Sequence, residues 1–453
     1  MTIIKENSTS KLGTMPIGKL IADMSIPLMI SMLMQAGYNL ADSIFVARLN
    51  ENALTAVTLA FPIQVIMIGL AIGTSVGVGA VISRRFGQGN DKEASKVAQT
   101  GIILAFITWA VIAAMVFFMT DTFVLNQTSD VSIIKYSKDY IYIVGVGGIG
   151  VFMQIMFEKM LQATGKSMLS MITQIAGVIV NIILDPILIY GLFGFPRLEV
   201  KGAAIATVIA QLAGMMVGFY LNVSKNKELN YRLKGFKIKS GIIRDIYSIG
   251  IPSIFIQILG SIMIFCYNKI LISITPTAVA VFGAYFRLNG FVFMPVFAIN
   301  SALTPIISYN FGAKNPSRIR EVLRQGIIIA ISIMLFGLLL FQIIPQILLL
   351  MFKPSDNFLS IGIPAIRTIS IIFPIAGFSI VMSSLFQSVG RAYYSLIVTL
   401  TRQILVLLPA GYFLSRAFKL NGVWWGFLIA EIIALVLVII FYKEIDRNIL
   451  KKL

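Results

Sequence analysis

The chain has 453 residues, of which 58% are hydrophobic and only 12% charged, and its mean hydropathy is +0.90. A soluble chain carries about a quarter charged residues, so this composition excludes an ordinary soluble domain and points to a membrane. The formal net charge of +18 does not indicate a nucleic-acid binder, because Lys and Arg are spread over many short segments rather than gathered in one basic patch.

Apolar runs of about 20 residues cross a bilayer. In chain order they predict spans near 17–42, 53–82, 94–119, 133–157, 167–192 and 202–223, then 243–272, 277–309, 322–344, 359–387, 393–415 and 422–442. The run after Lys19 is too long for a cleavable leader and continues into the first span. Loop cations remain on the cytoplasmic side. Twenty-five fall on one set of segments, from Lys5, Lys11 and Lys19 through Arg84, Arg232, Lys234, Lys237 and Arg318 to Lys452. Eight fall on the other set (Arg48, Lys135, Lys138, Arg197, Lys201, Lys353, Arg416 and Lys419). Both termini are therefore expected in the cytoplasm, which requires an even number of spans.

The two halves repeat. At an offset of 225, Pro27 meets Pro252, Phe86-Gly87 meets Phe311-Gly312, Asn90 meets Asn315, Gly101 meets Gly326, and Gln162 meets Gln387. Gly165 likewise meets Gly390, Lys166 meets Arg391, and Gly202 meets Gly422 after a small gap. Six spans per repeat is even, so the halves share one orientation. The expected fold is an all-α membrane protein of twelve transmembrane helices, two six-helix bundles related by a pseudo-two-fold along the membrane normal. Its expected divisions are 1–223, a basic cytoplasmic linker at 224–240, and 241–453.

Acids inside apolar spans are costly, and they mark function by default. Four are singled out as candidates: Asp42, Glu158, Asp185 and Glu431. In the first span Ser31, Gln35, Tyr38 and Asp42 are spaced for one helical face, and the fifth repeats the pattern with Ser170, Gln174, Gly177, Asn181 and Asp185. Pro186 follows directly and withholds a backbone donor. Thr207 on the sixth span falls at a similar depth. Asp42, Asn181, Asp185 and Thr207 can thus converge on a site of hard oxygens, suited to sodium or to a proton; helix-to-helix hydrogen bonding is the bland alternative. With no His in the chain, a proton would have to ride on a carboxylate. The second half has Tyr267 and Ala410 at the positions of Asp42 and Asp185, so coupling is expected in the first half. Glu158 adjoins Lys159, and Glu431 lies deep enough to pair with Arg402 or Arg287, so both acids have a structural as well as a functional reading. The lone Cys266 cannot close an internal disulfide.

Several stretches resemble the multidrug and toxic compound extrusion (MATE) family, especially its DinF-like and MepA-like bacterial branches. They are SIPLMISMLMQAGYNLADSIFVARL (25–49), GVGAVISRRFGQGN (77–90), LQATGK (161–166), NIILDPILIYG (181–191), GAAIATVIA (202–210), IGIPS (249–253) and SYNFGAKN (308–315). The resemblance implies a pair of six-helix lobes exporting substrates by alternating access in exchange for protons or sodium. It would give the coupling-ion role to Asp42, Asn181 and Asp185, with Thr207 beside them, and makes Glu158 a candidate in the MepA-like branch. The family's other large branch uses acids on spans seven and ten; span ten has none here, and the single acid of span seven, Asp245, stands at its very start.

The expected function is therefore multidrug efflux antiport of lipophilic, mostly cationic small molecules, with Glu158, Glu431, Gln35 and Tyr38 as additional coupling or substrate residues. No cofactor beyond the coupling H+ or Na+, no structural metal and no nucleic-acid partner are expected. The expected setting is a monomer among the lipids of a bacterial or archaeal cytoplasmic membrane. The alternative is a flippase for lipids or lipid-linked oligosaccharides, which would hold pyrophosphate with cations such as Lys269, Arg287, Arg367 and Arg402. A membrane hydrolase is disfavoured because neither a nucleophile with its base nor a His-based metal site is evident.

Overall fold

The computed structural model describes residues 10–231, 239–352 and 354–453. Lys5, Arg232, Lys234, Lys237 and Lys353, counted above among the loop cations, lie outside the described residues, as does the middle of the basic linker. Among the described residues every regular element is helical. The helices are α1 (Ile17–Ala47), α2 (Glu51–Gly87), α3 (Asp91–Leu125), α4 (Val131–Val146 continued by Ile149–Ala163), α5 (Ser167–Tyr190) and α6 (Val200–Lys225). Then come α7 (Ser240–Ile272), α8 (Pro276–Gly312), α9 (Pro316–Ile343) and α10 (Asp356–Ser370 continued by Phe373–Ser388).

The final helical stretch, Ala392–Lys452, has 61 residues. At 1.5 Å per residue it is roughly 90 Å long, about three times a bilayer's hydrocarbon thickness. It is broken at Lys419, whose φ of 52° and ψ of −137° leave the helical region. The break divides it into α11 (392–418) and α12 (420–448), which completes twelve spans among the described residues: nine helices that qualify in length and composition, the last counted twice, and two bent pairs. The protein is therefore an all-α, multi-pass membrane protein.

The described residues form two compact units. The first holds Ile26–Ile254 with the residues up to Thr14, and the second holds Met15–Ser25 with Phe255–Leu453. The helices that open each repeat, α1 and α7, are thus each divided between units, close to Pro27 and Pro252.

Repeated sequence produces repeated local geometry. Asn90 caps α3 by accepting from the Glu93 amide at 3.1 Å, and Asn315 caps α9 by accepting from the Arg318 amide at 3.1 Å. Glu199 before α6 and Lys419 before α12 share a φ of 52°. Immediately after these turns, Gly202 and Gly422 lie against the carbonyl oxygens of Leu188 and Leu414, where a Cβ would come within 2.4 and 2.2 Å. Glycine is required there because two backbones touch.

In the first unit, α4 bends by 44° at Gly147-Gly148. A Cβ on Gly147 would meet the Ile143 carbonyl at 2.7 Å, and one on Gly148 would meet Met67 at 2.6 Å, so the bend has room for no side chain. The bend aims the second half of α4, which carries Glu158. In the second unit, Tyr267, Phe282, Tyr285 and Phe427 form an aromatic cluster with ring centroids 5.1–6.5 Å apart.

Candidate functional site

The site in the first unit is organised by α5. Its apolar residues at helical spacing face lipid and neighbouring helices, while Gln174, Asn181 and Asp185 fall on one strip. The helix stops at Gly191, which takes φ 73° and returns its amide to the Ile187 carbonyl. Pro186 cannot donate to the Ile182 carbonyl, so the helix ladder is interrupted next to Asp185. The Tyr190 hydroxyl donates to the Phe45 carbonyl at 2.8 Å, which pins the C-terminal end of α1 to the C-terminal end of α5. That tie brings Asp42 and Asp185 together.

Asp185 is completely buried and Asn181 is 1% exposed. The Asn181 amide donates to Asp185 Oδ1 at 3.2 Å. The Asp42 and Asp185 carboxyl groups lie within hydrogen-bond reach of each other. Even so, Asp42 Oδ1, Asp185 Oδ2 and Asn181 Oδ1 are buried with no hydrogen-bond partner among the described residues. Three unsatisfied oxygens around two carboxylates form a site that a proton or a bare cation would complete, because two acceptor-only groups cannot bond each other without one. Thr207 is buried on α6, which packs closely on α5, but among the described residues it makes no hydrogen bond to either acid. Tyr38 lies near enough to feel both acid charges, whereas Gln35, about one turn nearer the start of α1, is exposed.

Two groups that sequence reasoning missed join this cluster. Tyr140 on α4 feels the charges of Asp42 and Asp185, and its hydroxyl accepts a hydrogen bond from the Gln64 amide at 3.0 Å. Neither residue belongs to a polar stripe in the sequence, so the only available signal was a lone Gln in an otherwise apolar span.

Glu158, on α4, forms a second polar centre with Gln174, which stands nearer the start of the same strip of α5. The Gln154 amide donates to Glu158 Oε1 at 3.0 Å. With its amide nitrogen turned toward the acid, Gln174 donates to both carboxylate oxygens, at 2.9 and 3.2 Å. Lys159, which adjoins Glu158 in sequence, instead donates to Gln162 Oε1 at 2.8 Å, and Gln162 donates on to Ser170. Glu158 is therefore already satisfied by protein donors, in contrast to Asp42 and Asp185.

In the second unit, the position equivalent to Asp42 is filled. Tyr267 is fully buried and donates to the Val423 carbonyl at 2.7 Å. Gly411 and Gly426 make room for its ring, with a Cβ on either coming within 2.8–3.6 Å of Tyr267. Glu431 is 2% exposed and pairs with Arg402 at 3.5 Å, rather than with Arg287.

Multiple apolar spans, a repeated six-helix unit and buried, partly unsatisfied carboxylates are the features of a transporter rather than of an enzyme. The MatE family model matches residues 27–187 and again 252–413, so the chain belongs to the MatE family of membrane transporters. The double match follows the internal repeat at nearly the same offset. Among curated relatives, the FAD transporter of Shewanella oneidensis is 29% identical over 403 residues, covering 87% of each chain. The multidrug export protein MepA of Staphylococcus haemolyticus is 26% identical over 415 residues, covering 91% of this chain and 90% of its own. A solved outward-facing structure of a multidrug resistance MATE transporter superposes with a TM-score of 0.91 at 27% identity, covering 100% of both chains.

Proposed function

We propose that this chain exports lipophilic, mostly cationic small molecules across a bacterial or archaeal cytoplasmic membrane, in exchange for protons or sodium, by alternating access. The coupling ion is assigned to Asp42, Asn181 and Asp185, with Thr207 in a supporting position, in the N-terminal half (1–223). The observation that carries this reading is the set of three buried oxygens without partners around two neighbouring carboxylates. A cation or proton there favours one arrangement of the protein, and the drug favours another. Each ligand shifts the balance only by its difference in affinity for the two states. The bias of loop cations supports cytoplasmic termini, and a monomer suffices for the reading because the acid site lies within one chain.

The flippase alternative needs clustered cations for pyrophosphate. Here Arg402 pairs with Glu431, Arg367 donates to the Gln342 carbonyl at 3.2 Å, and Lys269 lies 4.7 Å over the Phe265 ring. These separate engagements favour small-molecule export. A second reading, export of a flavin dinucleotide, is supported by the Shewanella oneidensis relative.

The test is ethidium movement in proteoliposomes under an imposed proton gradient and, separately, a sodium gradient. Movement driven by either ion supports antiport and names the ion. No movement with both discards the antiport reading, and flavin dinucleotide under the same gradients then tests the second.

A further inference from the structure

A second charged centre lies in the second unit, away from the carboxylates assigned to coupling. Arg402 is ten residues into α11, roughly 15 Å along the helix axis at 1.5 Å per residue, so it sits near mid-membrane. An intramembrane guanidinium at that depth belongs in a bundle interior or a wet cavity, since lipid would not solvate it. Its only hydrogen bond among the described residues is one long contact, from Nη1 to Glu431 Oε1 at 3.5 Å. A purely structural Arg–carboxylate pair is usually shorter and bidentate. The two partners also differ in access: the Arg402 side chain is 24% exposed and that of Glu431 only 3%.

The backbone supports this reading. Thr401–Val406 is a π-helical turn inserted into an otherwise α-helical span. Such turns cost hydrogen-bond geometry and recur where a side chain must be re-aimed. Next to Arg402, the Gln403 side-chain carbonyl is buried without a partner, and the Ser379 hydroxyl reaches toward Glu431. Tyr285, a member of the aromatic cluster, lies near enough to feel the charge of Glu431.

We propose that Arg402 and Glu431 form a recognition site for zwitterionic amphiphiles: the guanidinium takes a carboxylate of the ligand, and Glu431 takes its cationic end. The charge balance selects this class. A simple anion on Arg402 would sit beside Glu431 and leave a net negative charge in the membrane interior, whereas a zwitterion adds none. A planar carboxylate also matches the free fork of the guanidinium. The inference rests on reading the chain as an exporter of small amphiphiles, but it concerns ligand binding and needs no gradient.

Rhodamine B and its ethyl ester are a matched pair of probes, sharing a cationic ring system and differing only in a free carboxylate. Their binding to the full-length protein in nanodiscs is read by fluorescence anisotropy. Arg402→Gln is expected to weaken rhodamine B about tenfold, while the ester, a net cation beside the freed Glu431, holds or gains affinity. Arg402→Lys, which keeps the charge but loses the fork, should fall between. Should the single variant misfold because Glu431 is left buried without its partner, Arg402→Gln combined with Glu431→Gln removes both charges at similar volume. That pair should abolish the preference for the free carboxylate. Equal loss of both dyes, or unchanged rhodamine B affinity in a folded variant, overturns the proposal. Because the readout is binding at equilibrium, failure of ion coupling would leave this result intact.

Discussion

Replacing Asp185 by Asn isolates the coupling site. Asp185 is completely buried, accepts from Asn181 at 3.2 Å, and neighbours Asp42. Each buried polar atom left unsatisfied costs about 1–3 kcal/mol. For the three oxygens without partners, a bound cation would therefore recover on the order of 3–9 kcal/mol, less its own dehydration. Asp185→Asn acts on both sides of that balance. The new amide can donate to Asp42 Oδ1 and satisfy it without any cation, while the loaded site loses one of its two charges. Ligand-linked stabilisation is about 2.7 kcal/mol at a hundred times the dissociation constant. The wild-type protein in nanodiscs should therefore show a clear rise in thermal midpoint with the coupling ion, sodium against choline or low against high pH. The variant should show less than about a quarter of that rise, without losing its fold. A full-sized ion-dependent shift in Asp185→Asn would refute the assignment of this carboxylate, whatever happened to transport.

Other substitutions separate coupling from scaffold. Glu158→Gln should retain ion-dependent stabilisation within about twofold, because its oxygens already receive amide hydrogen bonds and do not require a cation; complete loss of the ion response would move the coupling site to Glu158. Tyr190→Phe removes the hydroxyl that ties α5 to the Phe45 carbonyl and should cost about 1 kcal/mol, seen as a lower thermal midpoint with weakened ion response. Gly202→Ala and Gly422→Ala should each destabilise by about 1–3 kcal/mol through overpacking, because the added Cβ meets a backbone carbonyl that cannot move aside. Equal thermal midpoints for these variants and wild type would show that the helices separate easily at those contacts. Gln64→Ala, which removes the donor to Tyr140, should weaken the ion response by a few-fold and leave the fold intact, as read by monodispersity and the same thermal assay.

The sequence by itself determined the membrane class, the number of spans and the repeat. Each of these depends on local quantities: apolar length, spacing of Gly and Asn, and the cost of charge in lipid. It also singled out Asp42, Asn181 and Asp185, because helical spacing within one span puts polar residues on a common face. Tertiary structure alone decided which of the acids lack partners. Glu158 and Asp185 looked alike as acids in apolar runs, yet amides reach Glu158 from its own helix and from α5, while Asp42 Oδ1 and Asp185 Oδ2 have no donor among the described residues. The choice of Arg402 over Arg287 for Glu431, and the arrival of Tyr140 and Gln64 beside the acids, were likewise beyond the sequence. Such contacts join helices far apart in the chain, and their register is set by close backbone approaches such as Gly202 on Leu188 and by the bend at Gly147-Gly148. Periodicity within a span says which face is polar. It carries no information about which neighbouring helix supplies the partner, and that pairing separates a satisfied acid from one that needs an ion.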